Sequence, residues 1–277
     1  MSNTKKMIME VCAENGITCL SLSRGYILRM TKNGQSRHVY GNFWDLNSAA
    51  ADRLACDKCG CYALLNASGI PALAHTLVFN SINRGEWTGD DGTLLSALEF
   101  FEKHKRKIVV KPNKGTQGRD VFLCETPLAV EQALMTIFTT EPDAALSPYV
   151  NIRTEYRVFY LAGRAYFIYG KKRGKSWKFN LVSGATAFEV TDIHLIDDLT
   201  SMALRAARCI GINFATIDIA KLSDGTLAIV EINSGVMANR LIDQLPHLRP
   251  KIKSLFAEAI DRLFSQKRIA GVVGLQV

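Results

Sequence analysis

The chain has no run of eighteen apolar residues, so no membrane-spanning helix and no membrane partner are expected. Its N-terminus, MSNTKKMIMEVCAENG, lacks a long apolar core and a small-residue cleavage site, so no signal peptide is expected. The seven cysteines are odd in number and scattered, which argues against a disulfide framework and suits a reducing, cytoplasmic location. There is no G-x-x-x-x-G-K-[ST] loop and no glycine fingerprint between a strand and a helix. No Ser/His or Cys/His constellation points to a covalent nucleophile. The basic runs KHKRK (103–107) and KKRGK (171–175) come without a recognised RNA-binding motif, so they read as solvated faces and nucleic acid is not the expected partner. Repeats and low-complexity linkers are also missing.

What remains is a chain of 277 residues, 48% hydrophobic and 22% charged, long enough to bury a core as one large or two modest domains. Its net charge of +8 favours anionic partners such as nucleotides or acidic peptides.

Residues 56–61 read CDKCGC, and C-x-x-C commonly opens a structural zinc site. Such a site needs further ligands. Cys12, Cys19, Cys124 and Cys209 form no close pair, and His75 stands alone. The stretch LNSAAADRLACDKCGCYALLNASG reads instead as one helix, with Asn47 or Ser48 as N-cap and Gly69 before Pro71 as its stop. Cys56 and Cys59 then lie one turn apart as small buried groups.

Elsewhere, strands and helices come in mixed order. Short strands are expected at ITCLSL, YILRMT and RHVYG, with a turn at Lys32-Asn33-Gly34. TLVFNS reads as a strand, EWTGDDGT (86–93) as a loop and LLSALEFFEKHKR as a helix. KIVVKPNKGTQGRDVFLC reads as strand, turn and strand, followed by a helix capped by Thr126 with Pro127 at its first position. Two hairpins are expected, one turning at Ala162-Gly163 and one at Asp224-Gly225. Helices are expected before Gly211 and near the C-terminus, over 247–268. This order argues for an α+β fold rather than one doubly wound parallel sheet.

The second hairpin carries the most informative geometry. A two-residue turn at Asp224-Gly225 sets Asp218 directly across from Glu231, with Asn233 on the same face. Opposed like charges destabilise a strand pair, so a positive group is expected between them. An Asp, a Glu and an Asn converging on one point suit magnesium. The other reading, two carboxylates on a solvent face, fits poorly with the apolar flanks Ile217, Ile219, Ile229, Val230 and Ile232.

In VVKPNKGTQGRDV, Lys111 ends an apolar strand and Gly115, Thr116 and Gly118 form a polar turn whose amides can approach phosphate. An ordinary hairpin turn has the same look. Arg157, Lys171 to Arg173, Lys178 and Asn180 add cations and polar groups, with Glu155 and Arg157 on one strand face. Together these describe a site for a polyphosphate and its metal.

These residues resemble the ATP-grasp enzymes over roughly residues 45–245. Asp57-Lys58 followed by Leu64 to Pro71 resembles the helix and strand that open the fold. VVKPNKGTQGRDV is similar to its phosphate-covering loop, and FATIDI with AIVEINSG to its metal-binding pair. The nearest flavour is that of the ATP-grasp modules of cyanophycin synthetase and of the fused glutamate–cysteine ligase/glutathione synthetase.

The resemblance implies an ATP-grasp fold of two α+β subdomains clasping ATP. Its implied divisions are a short β-rich region at 1–45, a first subdomain at 46–150 and a second at 151–277. It implies that Lys58, Lys111, Gly115, Thr116, Gly118, Asn180 and the hinge residues Ser147, Tyr149 and Val150 bind ATP. Arg157, Lys171 and Lys178 would act on the phosphoryl or acyl phosphate group. Asp218, Glu231 and Asn233 would bind two Mg2+ ions, with Mn2+ as an alternative. The implied reaction joins a carboxylate to an amine with release of ADP, on an amino acid or peptide. A phosphotransferase and a non-catalytic nucleotide-binding or peptide-binding module are the alternatives. The N-terminal region is short for a complete substrate domain, and no interface signature stands out beyond the base-rate expectation of a homodimer.

Overall fold

The computed structural model describes residues 2–80, 92–115 and 118–265. Thr116, the tail at 269–277 and the 86–93 loop up to Asp91 lie outside the described residues. The chain divides into two units, Met1–Leu46 with Met237–Val277, and Asn47–Val236.

The first unit opens with α1 (Asn3–Glu14), an element the sequence reading did not include. Ser2 caps it by accepting from the Lys5 backbone N–H, and Met7, Ile8, Val11 and Cys12 form its buried stripe. Four antiparallel strands follow in spatial order: β1 (Thr18–Leu22), β2 (Ile27–Lys32), β3 (Gln35–Tyr40) and β4 (Phe43–Trp44). Asn33 and Gly34 both have positive φ, 50° and 74°, which makes the expected turn a two-residue type I′ hairpin.

The second unit holds two antiparallel sheets. Its first helices are α2 (Ala49–Cys56) and α3 (Lys58–Ala67). The single helix expected here is broken at Asp57, whose φ of −93° and ψ of 103° are extended. Asp57 ends α2 and caps α3 by accepting from the Gly60 N–H at 2.8 Å, so Cys56 and Cys59 belong to different helices. Then come β5 (Thr76–Phe79), α4 (Leu94–Lys103), β6 (Ile108–Pro112), β7 (Phe122–Cys124), α5 (Pro127–Phe138) and β8 (Asp143–Pro148). These strands form a sheet in the order β5-β8-β6-β7. Phe101 of α4 and Val130, Leu134 and Ile137 of α5 pack against Ile108, Val110 and Leu146.

The remaining elements are β9 (Ile152–Leu161), β10 (Arg164–Lys172), β11 (Thr186–Glu189), α6 (Ile193–Ile210), β12 (Phe214–Leu222) and β13 (Leu227–Asn233). The sheet runs β11-β10-β9-β12-β13. Alternation divides its faces. Tyr156, Val158, Tyr160, Ile217, Ile219 and Ile232 bury one face against Leu199, Ala203, Ala206 and Ile210 of α6. The other face carries charge. Antiparallel sheets with helices on one side agree with the expected α+β class.

The chain then returns to the first unit with α7 (Asn239–Gln244) and α8 (Arg249–Ser265). Phe256 of α8 stacks on Trp44 at 5.6 Å, and Arg249 donates to Glu10 of α1 at 2.6 and 2.8 Å. These C-terminal helices therefore pack with residues 1–46, where the sequence division had placed them with 151–277.

Candidate active site

The charged face of the five-stranded sheet is built by register. Tyr169, Arg157, Asp218 and Glu231 follow one another across β10, β9, β12 and β13, with Lys171 and Glu155 paired in the neighbouring row. Asp218 does face Glu231, though by another route than a two-residue turn. The loop is three residues, Ser223 to Gly225, with Gly225 at φ 90°; from Lys221↔Leu227 to Ile219↔Ile229 the pairing runs one residue short of the expected register. A bulge at Val230 then restores it, turning Glu231 onto the charged face while Ile229 and Ile232 stay on the apolar one.

The cation expected between Asp218 and Glu231 is absent among the described residues: the Asn233 amide bridges them, and the cations, from β9 and β10, sit on the other side of Asp218. Arg157 donates to both oxygens of Asp218, Nε to Oδ1 at 2.7 Å and Nη2 to Oδ2 at 2.5 Å. Lys171 donates to Asp218 Oδ1 at 3.0 Å and to Glu155 Oε1. Asp218 is 1% exposed and Lys171 3%. Burial pushes the Asp218 carboxyl up, but Arg157 and Lys171 outweigh it and hold the group well below the usual carboxylate range. Burial and Arg157 draw Lys171 down, yet Asp218 and Glu155 leave it raised. Glu155 is pushed up by burial against the pull of Lys171.

Asn233 Nδ2 lies 3.0 Å from Glu231 Oε1 and 3.5 Å from Asp218 Oδ2, so the three side chains meet at one point. Among the described residues no three His, Cys, Asp or Glu side chains converge to hold a metal ion. Two carboxylates and an amide nevertheless fit magnesium, which takes one or two protein carboxylates and completes its shell with phosphate oxygens and water. Turning the Asn233 amide over would present its oxygen. Each Asp218 oxygen already accepts two hydrogen bonds, so Glu231 is the more available carboxylate.

A second group surrounds the KPN turn. Asn113, fully buried, accepts from the Cys59 N–H at 3.1 Å and donates to Asp57 Oδ1 at 3.0 Å. Lys58 Nζ donates to the carbonyls of Asn113 at 3.1 Å and Gly115 at 2.8 Å. Asp57 and Lys58 thus hold the glycine turn in place. Gly115 sits so near Pro112 that a Cβ would fall 2.7 Å from its ring. Lys111 is lowered to about 8 by burial and then by Lys58, with Glu231 and Glu155 pulling the other way.

A third group joins Gly118, Lys178 and Asn180. Gly118 has φ 68°, Lys178 Nζ donates to its carbonyl at 3.2 Å, and a Cβ there would stand 2.9 Å from Asn180 Oδ1. The hinge residues come last. Ser147 is buried at the end of β8, Tyr149 donates its N–H to the Lys107 carbonyl at 3.1 Å, and the Tyr149 ring meets Trp177 edge-on at 6.3 Å. Val150 follows in the link to β9.

Two residues were overlooked in the sequence. Asn113 was quoted within KPN but given no role. His75, 7% exposed, lines a small cavity with Lys58, Tyr62 and Glu231. Among the described residues neither ring nitrogen has a well-formed hydrogen bond, the Leu73 backbone being a weak partner. Burial, then Lys111 and Lys58, push the imidazole well below its ordinary value, so it is neutral. No pattern in the sequence marks it. The cysteines of CDKCGC are packing groups: Cys61 is buried and Cys56 Sγ lies 3.9 Å from Ser234 Oγ.

Residues 126–245 match a family model described as an ATP-grasp domain, the third family of its clade, and that span contains Arg157, Lys171, Asp218, Glu231 and Asn233. Over 131 residues the chain is 31% identical to an Azotobacter vinelandii protein named "Probable alpha-L-glutamate ligase", covering 46% of this chain and 42% of that one. The chain thus spans less than half the length of the curated relatives it matches. Its fold is similar to D-alanine–D-alanine ligase of Bacillus anthracis complexed with ATP, at a TM-score of 0.59 and 15% identity, covering 80% of this chain and 71% of that one. It is also similar to the bifunctional glutathione synthetase of Pasteurella multocida, at 0.60 and 13%, covering 96% and 44%.

Proposed function

We propose, from the match of residues 126–245 to an ATP-grasp domain, that the chain is an ADP-forming ligase joining a carboxylate to an amine on an amino acid or peptide. The observation that carries this reading is the single sheet face on which Arg157, Lys171, Asp218, Glu231 and Asn233 come together. A site for triphosphate chemistry needs fixed cations beside a hard-oxygen metal set.

In this reading a carboxylate oxygen of the substrate attacks the γ-phosphorus of ATP. The bond to ADP breaks and an acyl phosphate forms. The amine nitrogen then attacks the carbonyl carbon, phosphate leaves with the C–O bonding pair, and the nitrogen gives up a proton. The protein's part is positioning and electrostatics. Arg157, held side-on through Nε and Nη2 by Asp218, and Lys171 supply positive charge where negative charge develops. Lys111 would contact the phosphates, with Lys58 holding the turn beneath them. Gly115 and Gly118 let the turn pack against Pro112 and Asn180, its backbone would meet the phosphates, Lys178 and Asn180 close over it, and the Ser147–Val150 backbone would read the adenine. Asp218, Glu231 and Asn233 would hold magnesium, one or two ions, which when bound neutralises the transferring phosphoryl group.

The test is ADP and phosphate release with ATP and magnesium across pooled amino acids and short peptides, with mass spectrometry of the products. Turnover that needs a carboxylate and an amine together, and is lost in Glu231→Gln, supports the ligase. Release with a carboxylate alone and a stable phosphorylated product replaces it with a phosphotransferase. Nucleotide binding without turnover on any substrate, macromolecular ones included, leaves a binding module.

A further inference from the structure

Between Glu14 and Asp45 the chain has no Asp or Glu, yet it carries Arg24, Arg29, Lys32, Arg37 and His38. This stretch forms the sheet of the first unit. Leu28, Met30 and Val39 bury its inner face. On the outer face, one row reads Leu20, Arg29, His38 and the next Leu22, Ile27, Tyr40. Leu20, Leu22 and Tyr40 there, with Tyr26 at the turn, are 40% to 58% exposed. Tyr26 and Tyr40 meet edge-on at 4.9 Å, and Lys5 fixes the turn by donating to the Gly25 carbonyl and, at 3.2 Å, to that of Tyr26.

Next to this face runs an edge that pairs with no other strand among the described residues. Strand β1 is first in the sheet order, and its sequence, TCLSL, contains no charge and no proline. Edge strands in soluble proteins are usually protected by such residues, and an unprotected one is a surface for strand addition. We infer that the β1 edge and the outer face dock an extended acidic segment of a partner polypeptide. The segment adds as a strand beside Thr18–Leu22, sets aliphatic side chains on Leu20 and Leu22, and places carboxylates near Arg29 and His38. Main-chain pairing and an aliphatic centre suit a polypeptide; a nucleic acid would ask for a denser cationic track than Arg29 and His38 provide. A second copy of this chain is disfavoured, because it would bring two acid-free cationic faces together.

Docking needs neither ATP nor the ligase reading, and its test uses neither. A fluorescein-labelled octapeptide alternating Glu and Val is titrated with the full chain, against the Lys-Val counterpart and a labelled oligo-dT. Leu20→Lys, Arg29→Glu and Tyr40→Ala, all at the outer surface, are measured in parallel with circular dichroism to check folding. The acidic peptide is expected to bind, more weakly as salt rises from about 50 to about 200 mM, while the basic one does not. Each substitution should weaken binding by about tenfold or more, and amide exchange in Thr18–Leu22 should slow with peptide bound. Equal binding by wild type and variants overturns the inference, as does unchanged exchange at Thr18–Leu22. So does preference for oligo-dT, or self-association abolished by Leu20→Lys with no peptide bound.

Discussion

Arg157 and Asp218 meet side-on across neighbouring strands, with both guanidinium contacts at 2.7 Å or less, and Lys171 completes the grip on the same carboxylate. Breaking such a buried network by removing one partner costs more than the network contributes, because the other charges stay behind. Asp218→Asn should therefore lower unfolding stability by about 3–5 kcal/mol in urea denaturation. Because its folded value is depressed, the contribution of Asp218 is complete above the unfolded carboxylate value of about 3.9 and is lost as pH falls through the folded one. The Asn variant should thus lose part of the wild type's acid sensitivity. A loss under about 1 kcal/mol would mean that the pair behaves as if solvated.

Lys111 gives a second pH dependence, in the alkaline range. With its value at about 8, it is charged at neutrality and loses its proton just above. MgADP affinity, read by calorimetry, should fall as pH rises through about 8. Arg at position 111 should remove the fall, since guanidinium stays charged. Lys58→Met should move the midpoint upward, because Lys58 is one of the causes of the depression. For folding the sign reverses: between about 8 and the unfolded lysine value near about 10.4 the unfolded chain binds more protons, so stability gains with pH there. Affinity flat across the range from neutrality to about one unit above the Lys111 value would remove Lys111 from the nucleotide site.

Asp57 does two jobs at one oxygen, capping α3 and holding the Asn113 amide. Asp57→Ala should cost about 2–4 kcal/mol, a cap of about 1 with a buried amide left unpaired adding about 1–3. Asn113→Ala should loosen the turn that Lys58 also holds, raising the Kd for nucleotide as well as lowering stability. If nucleotide affinity is untouched in both variants, the turn is not part of the binding surface.

Much of this arrangement was legible in the sequence, and the misses have physical reasons. An assumed two-residue turn at Asp224-Gly225 opposed Asp218 and Glu231, and the pairing came out right because two departures from it cancel. Alternation in FATIDI and AIVEIN could not show the three-residue loop and the compensating bulge at Val230, since together they leave the final pairing unchanged. The need for positive charge was legible too. Its source and its side of Asp218 were not, because Arg157 lies 61 residues from Asp218 and the β9–β12 pairing crosses α6 in sequence. At Asp57 the Ala- and Leu-rich flanks outweighed a capping side chain, and the helix was read straight through. In α1 the stripe Met7, Ile8, Val11 and Cys12 was present but bounded by polar residues that drew attention to targeting instead of folding. The packing of α8 against α1 rests on contacts between the two ends of the chain, which no local pattern encodes.

His75 offers the sharpest contrast between stability and site chemistry. Its two buried ring nitrogens lack well-formed partners among the described residues, and a buried polar group in that condition is destabilising. His75→Leu keeps most of the volume and removes both nitrogens, so it should raise the stability of the ligand-free protein by about 1 kcal/mol, measured by urea denaturation. The same variant should bind MgADP more weakly, since His75 shares its cavity with Lys58 and Glu231. His75→Gln, which restores hydrogen-bonding capacity, should recover part of that affinity and give up the gain in stability. A fall in ligand-free stability in the Leu variant would show that water in the cavity already satisfies the imidazole. Unchanged MgADP affinity alongside a gain in stability would make His75 a packing residue and confine the site to the strands and the KPN turn.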